Sequence, residues 1–251
     1  MTVVTPARRF TCPARSRYPN RVRYALSLLK DVVKDNFRRY WSLNGLDRRL
    51  AELMPYRHGY YVELGANDGR SQSNSLHFER HKGWRGLLVE PSPTAFQHCV
   101  MTRSPRNTIV CACCVEPENA GALVPLEFFN LMTTRVDKNQ DQDLETLLPS
   151  LRLNQGGDPD LAYRFGSEGR TMTSLLDEAG APALIDFLSL DVEGNELNVL
   201  KGLDFSRYGF KYLLIEARNF QEVADFLLPK GYVFREKVSS HDYLFWPVLA
   251  A

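Results

Sequence analysis

Val62-Glu63-Leu64-Gly65-Ala66-Asn67-Asp68-Gly69 decides the architecture of this chain. An apolar run over 60–64 ends there in Gly65 and Gly69, and Ser73-Asn74 then opens a helical pattern. Strand, glycine turn and helix make the first half of a βαβ unit, where glycine permits a sharp turn and the close approach of a ligand. Twenty-one residues beyond Gly69 a second apolar run ends in Glu90. An acid there can accept hydrogen bonds from both hydroxyls of a ribose. Asn67 stands where pyrophosphate binders carry the middle glycine of Gly-x-Gly-x-x-Gly, and the charge of Glu63 would repel a phosphate but attract an ammonium. A nucleoside with an amino-acid tail and no phosphate suits these residues. S-adenosylmethionine is such a molecule.

Working outward, short apolar runs at 86–89, 108–113, 185–190 and 212–215 suit strands buried on both faces of a parallel sheet. Helical patterns at 73–82, 173–179, 196–201 and 221–230 fill the gaps. Gly83, Gly180, Gly202 and Gly231 follow them as left-handed stops. Strands alternating with helices predict an α/β, Rossmann-like fold with a mostly parallel sheet. Runs at 232–234 and 243–246, joined through Ser239-Ser240-His241, predict a terminal antiparallel hairpin at the sheet edge. Towards the N-terminus, Ala25, Leu28, Leu29, Val32, Val33, Phe37, Tyr40 and Trp41 recur at helical spacing, and 46–54 reads as a short helix ended by Pro55. The expected organisation is a basic arm and helical extension over 1–55, then one domain over 56–251. The polar stretch 130–170 has the character of a lid or insertion.

A chain of 251 residues suits one domain with a sizeable core. No run approaches the roughly 18–20 apolar residues that span a bilayer, and the N-terminus lacks the apolar segment of a secretory signal. These features predict a cytoplasmic protein without a transmembrane segment. The net charge of +1 hides an asymmetry, because residues 1–50 carry about +9 and the remainder about −8. The basic arm could meet an anionic acceptor, or serve as a solvated face that packs on the acidic body. No specific nucleic-acid-binding motif accompanies it. Cys12, Cys99, Cys111, Cys113 and Cys114 lack the spacing of a zinc site and read as reduced, mostly buried thiols.

The second informative stretch runs from Ile185 through Asp191-Val192-Glu193-Gly194-Asn195-Glu196. Ligands in open α/β sheets bind outside the carboxyl ends of the strands. Asp191, Glu193 and the later strand-end Glu216 fall on that edge, and three carboxylates there would be costly unless neutralised. Here the chain resembles the FkbM family of methyltransferases. VELGANDG, LLVEPSP, TMTSLLDEAG, LSLDVEGNELNVLKGL and LLIEARN occur in the family's order, across roughly 60–246. The run SNSLHFERHKGWRGLLVEPSP is similar to one branch of it, and the DVEGxE element is the most specific. The resemblance implies a class I fold, S-adenosylmethionine as cofactor, and O-methylation of a hydroxyl on a sugar, glycan or small natural product. It implies that Glu63, Gly65, Asn67 and Gly69 line the methionine side, that Glu90 holds the ribose, and that Asp191 faces the transferred methyl. Ser73, Asn74 and Ser92, within the same motifs, complete the candidate cofactor set.

Methyl transfer needs nucleophile, carbon and sulfur in line, and an alcohol needs a base. Asp191 is the first candidate and His241, in the terminal hairpin, the second. Mg²⁺ held by Asp191, Glu193 and Glu216 would be another way to acidify a hydroxyl. Two other classes use the same fold: a catalytically silent binding or trafficking module, and an NAD-dependent oxidoreductase. Intact acids at both motifs favour an enzyme over the first, and the missing middle glycine argues against the second.

Overall fold

The computed structural model describes residues 38–129, 132–135 and 163–248. The expected helix over 25–41 lies almost wholly outside them, as do the basic arm and residues 136–162 of the expected lid. The chain divides into two units, Met1–Arg39 and Tyr40–Ala251, and the fold described is that of the second. Its first helix, α1 (Leu46–Leu53), buries Leu46, Leu50 and the following Met54 in one cluster with Tyr61 and Trp84. The compact unit therefore starts at Tyr40 and not at residue 56, because this helix supplies part of the core.

A seven-stranded sheet forms the centre. It contains β1 (Tyr60–Leu64), β2 (Arg85–Val89), β3 (Thr108–Val110), β8 (Leu184–Leu190), β9 (Gly209–Glu216), β10 (Tyr232–Lys237) and β11 (Asp242–Pro247), in the order β10-β11-β9-β8-β1-β2-β3. From β9 to β3 every pair is parallel, whereas β10 and β11 are antiparallel and close one edge. The Rossmann-like expectation and the terminal hairpin both hold. Every residue of β1 is buried, as the apolar run required of a central strand. The chain lays β2 and β3 on one side of β1 and β8 and β9 on the other, so the topological switch lies between β1 and β8. Such a switch leaves a crevice at the carboxyl ends of its two strands.

Helices α2 (Leu76–Lys82), α3 (Pro93–Thr102), α4 (Met172–Glu178), α5 (Glu196–Lys201) and α6 (Phe220–Leu227) connect the strands. Gly83, Gly180 and Gly231 are left-handed as expected. Gly202 is not: its φ is −78°, and a Cβ there would lie 2.4 Å from the carbonyl oxygen of Val115. That glycine permits close approach and does not stop the helix by handedness. Helix α3 escaped the sequence reading because only Ala95 and Cys99 are buried on it, too few to mark an apolar face.

A second, four-stranded sheet pairs β4 (Cys113–Cys114), β7 (Tyr163–Arg170), β5 (Leu123–Phe129) and β6 (Met132–Arg135) in that order. It was not expected, and two corrections follow from it. The run 108–113 is split between two sheets, and the final part of the expected irregular stretch is the strand β7. The sequence of β7, Tyr-Arg-Phe-Gly-Ser-Glu-Gly-Arg, hides the strand because β5 supplies most of the apolar contact. Gly166 is bare where Leu123 lies across it, and Gly169 where the Asn119 carbonyl does. Val124 and Leu126 of β5 pack with Cys113, Val115 and Phe165. The described cysteines are free thiols, with Cys99, Cys113 and Cys114 buried and Cys111 partly so.

Candidate active site at the carboxyl edge of the sheet

Side chains alternate between the faces of a strand. Tyr60, Val62 and Leu64 belong to one core cluster and Tyr61 to the other, so Glu63 follows Tyr61 onto the second face. By the same count Glu90 follows Leu88, Ser189 and Asp191 follow Phe187, and Glu216 follows Leu214. Acids scattered over more than 150 residues of sequence thus reach one face of one sheet edge. There they line a cavity of about 630 Å³ together with the turn Gly65-Ala66-Asn67, the helix lead-in Ser73-Asn74, and residues of the second sheet. The size lies in the range of small-molecule sites.

Within the first motif, Glu63 is a buried organiser. Its carboxylate accepts hydrogen bonds from the Ser73 hydroxyl (3.0 Å), the Asn74 backbone N–H (2.9 Å) and the Ser75 hydroxyl (2.6 Å). The guanidinium of Arg103 stands 3.4 Å away. Those contacts use up the carboxylate and offset its charge, so the expected pairing of Glu63 with a ligand ammonium is corrected: Glu63 holds the loop that shapes the cavity. Arg103, just past α3, is the hub beneath this loop. It donates to Glu79 (2.9 Å), the Gly69 carbonyl (2.8 Å), Ser73 (3.0 Å), the Tyr61 hydroxyl (2.9 Å) and Ser75. Nothing local in Thr102-Arg103-Ser104-Pro105-Arg106 marks that role, since all its partners come from distant segments.

Gly65 has φ +82°, and a Cβ on it would fall 1.9 Å from the backbone oxygen of Asp191. The first motif thus touches the second through a glycine that no other residue can replace without displacing β8. Asn67 is also left-handed, at φ 47°, which asparagine tolerates better than most residues. Its N–H donates to Glu90 Oε2 (2.8 Å), and the Ser92 N–H donates to Glu90 Oε1 (2.8 Å). Each oxygen keeps a second lone pair for a ligand hydroxyl. Burial drives the Glu90 pKa up, against those two backbone hydrogen bonds, to about 7. Two expected cofactor residues are displaced. Gly69 is absent from the cavity wall, its bare Cα instead packing against Cys99 and Arg103. Ser92 is also absent, because its hydroxyl caps α3 through the Ala95 N–H and meets the Tyr163 hydroxyl at 3.1 Å.

The second motif brings Asp191, Val192, Glu193 and Asn195 into the wall, and Glu216, Arg218 and His241 join from the neighbouring strand ends. Burial first, then the carboxyls of Glu216 and Glu193, raise the Asp191 pKa well above the ordinary range. Its Oδ1 is buried without a hydrogen-bond partner. Glu193 is left-handed (φ 57°) and turns to Arg218 at 3.4 Å, while burial and Glu216 push its pKa up to about 7. Among the described residues no group of three or more His, Cys, Asp or Glu side chains is arranged to hold a metal ion. The Mg²⁺ set Asp191, Glu193 and Glu216 is therefore not supported, and the reason is visible in the turn of Glu193 towards Arg218. Sequence reasoning also missed Arg135, Leu126 and Phe128 in the wall. They sit on the second sheet, which no motif announced.

The residues present fit S-adenosylmethionine. Glu90 has free acceptor capacity for a ribose, the glycine turn brings main chain to the cavity, and the buried unpartnered oxygens of Asn74 and Asp191 await donors or positive charge. No described helix is long and apolar enough to cross a membrane. Among solved structures, the chain is similar to a methyltransferase FkbM from Methylobacillus flagellatus KT at 15% identity and TM-score 0.43, over 75% of this chain and 43% of that one. A precorrin-6y C5,15-methyltransferase from Geobacter metallireducens GS-15 aligns at 12% identity and TM-score 0.42, over 82% and 93%. A human methyltransferase 10 domain containing protein aligns at 10% identity and TM-score 0.42, over 91% and 96%. The chain thus spans less than half of the first of these relatives. No curated protein matches it significantly. The methyltransferase FkbM domain profile, however, matches residues 63–235, from the first motif acid into the terminal hairpin, which displaces the oxidoreductase reading. The chain belongs to the FkbM family of S-adenosylmethionine-dependent methyltransferases.

Proposed function

We propose that the protein transfers a methyl group to a hydroxyl of a sugar, glycan or small natural product, with Asp191 as the base. The supporting observation is the buried, unpartnered Oδ1 of Asp191 in the cavity wall. S-adenosylmethionine, when bound, supplies a methyl carried on a positively charged sulfur. Asp191 accepts the hydroxyl proton as the oxygen–methyl bond forms and the carbon–sulfur bond breaks. Its raised pKa suits that role, since a carboxylate reluctant to stay ionised is a stronger base. Leu126, Phe128 and Arg135 on the second sheet offer an acceptor surface across the cavity. His241 lines the same cavity and is the alternative base.

The test is labelled methyl transfer from S-adenosylmethionine to a panel of glycans and polyhydroxylated natural products, with wild type and Asp191→Asn. The variant keeps the shape but not the basicity, and turnover should fall by about 10²–10⁴-fold. Activity should rise with pH as Asp191 loses its proton, at a midpoint above the ordinary carboxyl value of 3.8. A folded Asp191→Asn enzyme turning over at the wild-type rate would transfer the role to His241. Cofactor binding with no transfer to any acceptor would favour the silent binding module.

A further inference from the structure

The wall contains a polar group that the reading of Asp191 leaves unused. Asn74 lies between the glycine turn and α2, and its backbone N–H is held by Glu63 at 2.9 Å. Its side-chain Nδ2 donates to the Ser189 hydroxyl at 3.0 Å, which ties it to β8. The other end of the amide, Oδ1, is buried without a hydrogen-bond partner and belongs to a residue lining the cavity. A buried acceptor left unsatisfied is costly, and such groups are rare in native proteins. Glu63, the charged acceptor nearest in sequence, already serves Ser73, Ser75, Asn74 and Arg103. A ligand carrying an N–H donor therefore finds Asn74 open and Glu63 closed.

Topology supplies the second argument. Glu90 stands at the end of β2 and Ser189 near the end of β8, on opposite sides of β1. Two strand spacings separate them, about 10 Å. A ligand that engages Glu90 with its ribose must extend across the Gly65 turn to reach Asn74, and so presents there the end remote from the sugar. We propose that the Asn74 side-chain amide, held by Ser189, is the recognition group for the α-ammonium of the cofactor's amino-acid tail, in the place the sequence suggested for Glu63. The proposal rests on the methyltransferase reading. It assigns Asn74 to one functional group of the ligand and leaves the carboxylate of the tail to others.

The experiment is calorimetric and needs no acceptor. Wild type and Asn74→Ala are titrated with S-adenosylhomocysteine and with its deamino analogue, which keeps the carboxylate and lacks the amine. Wild type should bind S-adenosylhomocysteine about 10- to 100-fold more tightly than the analogue, the range for a hydrogen bond to a charged group. Asn74→Ala should lose that preference while binding the analogue as wild type does. If the variant weakens both ligands equally, the amide faces some other part of the ligand and the proposal is overturned. If it weakens neither, Asn74 is outside the site and the proposal is likewise overturned. Failure of wild type to bind either ligand would instead refute the cofactor reading. Should Asn74→Ala fold poorly, Ser189→Ala, which frees the amide without removing it, should reduce the same preference. An unchanged preference in that variant overturns the proposal too.

Discussion

Replacing Arg103 by methionine removes a buried guanidinium and strands two carboxylates, Glu63 and Glu79, which are only 4% and 7% exposed. Deleting one partner of a buried ion pair costs about 3–5 kcal/mol, because the remaining charge stays desolvated. A domain of this size loses about 2–4 °C of Tm per kcal/mol, so the variant should melt roughly 6–20 °C below wild type. The deficit should depend on pH. Burial opposes ionisation of Glu79, but Arg103, the Ser104 N–H and the Tyr61 and Asn107 side chains outweigh it and hold its pKa below 4.5. A carboxyl depressed in this way contributes stability that is fully present above its unfolded pKa and lost as pH falls through its folded one. The gap between wild type and Arg103→Met should therefore be widest near neutrality and shrink below about pH 4.5, where protonation relieves the stranded acids. Thermal melts by circular dichroism at pH 7 and pH 4 read both effects. Melting of Arg103→Met within a degree of wild type at pH 7 would refute the view that this residue neutralises the floor of the first motif.

Glu90→Gln keeps one acceptor oxygen but loses the charge, and should weaken S-adenosylhomocysteine binding by about 1.5–3 kcal/mol in calorimetry. Because the Glu90 pKa is raised to about 7, wild-type affinity should also fall as pH drops from 8 to 6, and Glu90→Gln should lack that dependence. Unchanged affinity in the folded variant would remove Glu90 from the ribose site. Gly65→Ala forces a side chain onto a left-handed backbone, costing about 1–3 kcal/mol, and pushes Cβ against the Asp191 carbonyl. Urea unfolding should show the loss and calorimetry a weakened cofactor site, whereas wild-type behaviour in both would contradict the close contact of the two motifs.

The central sheet was legible because buried parallel strands are apolar on both faces, and β1, β2, β8 and β9 each read as such a run. The acids Glu63, Glu90 and Asp191 were legible as well, since each directly follows or ends one of these runs at the edge where α/β folds bind ligands. What each acid does could not be read. Glu63 looks like a ligand partner until Ser73, Ser75 and Arg103 are seen to occupy it, and Arg103 lies about 40 residues away with no local mark. The same holds for β7, whose glycines and charges carry no strand pattern because its apolar partner, β5, comes from another part of the chain. Periodicity reports which face of an element is buried, and motif spacing reports which residues reach an edge. Whether a buried charge is already satisfied depends on contacts between segments distant in sequence, and so the division of labour between Glu63 and Asn74 was decided only by the tertiary structure.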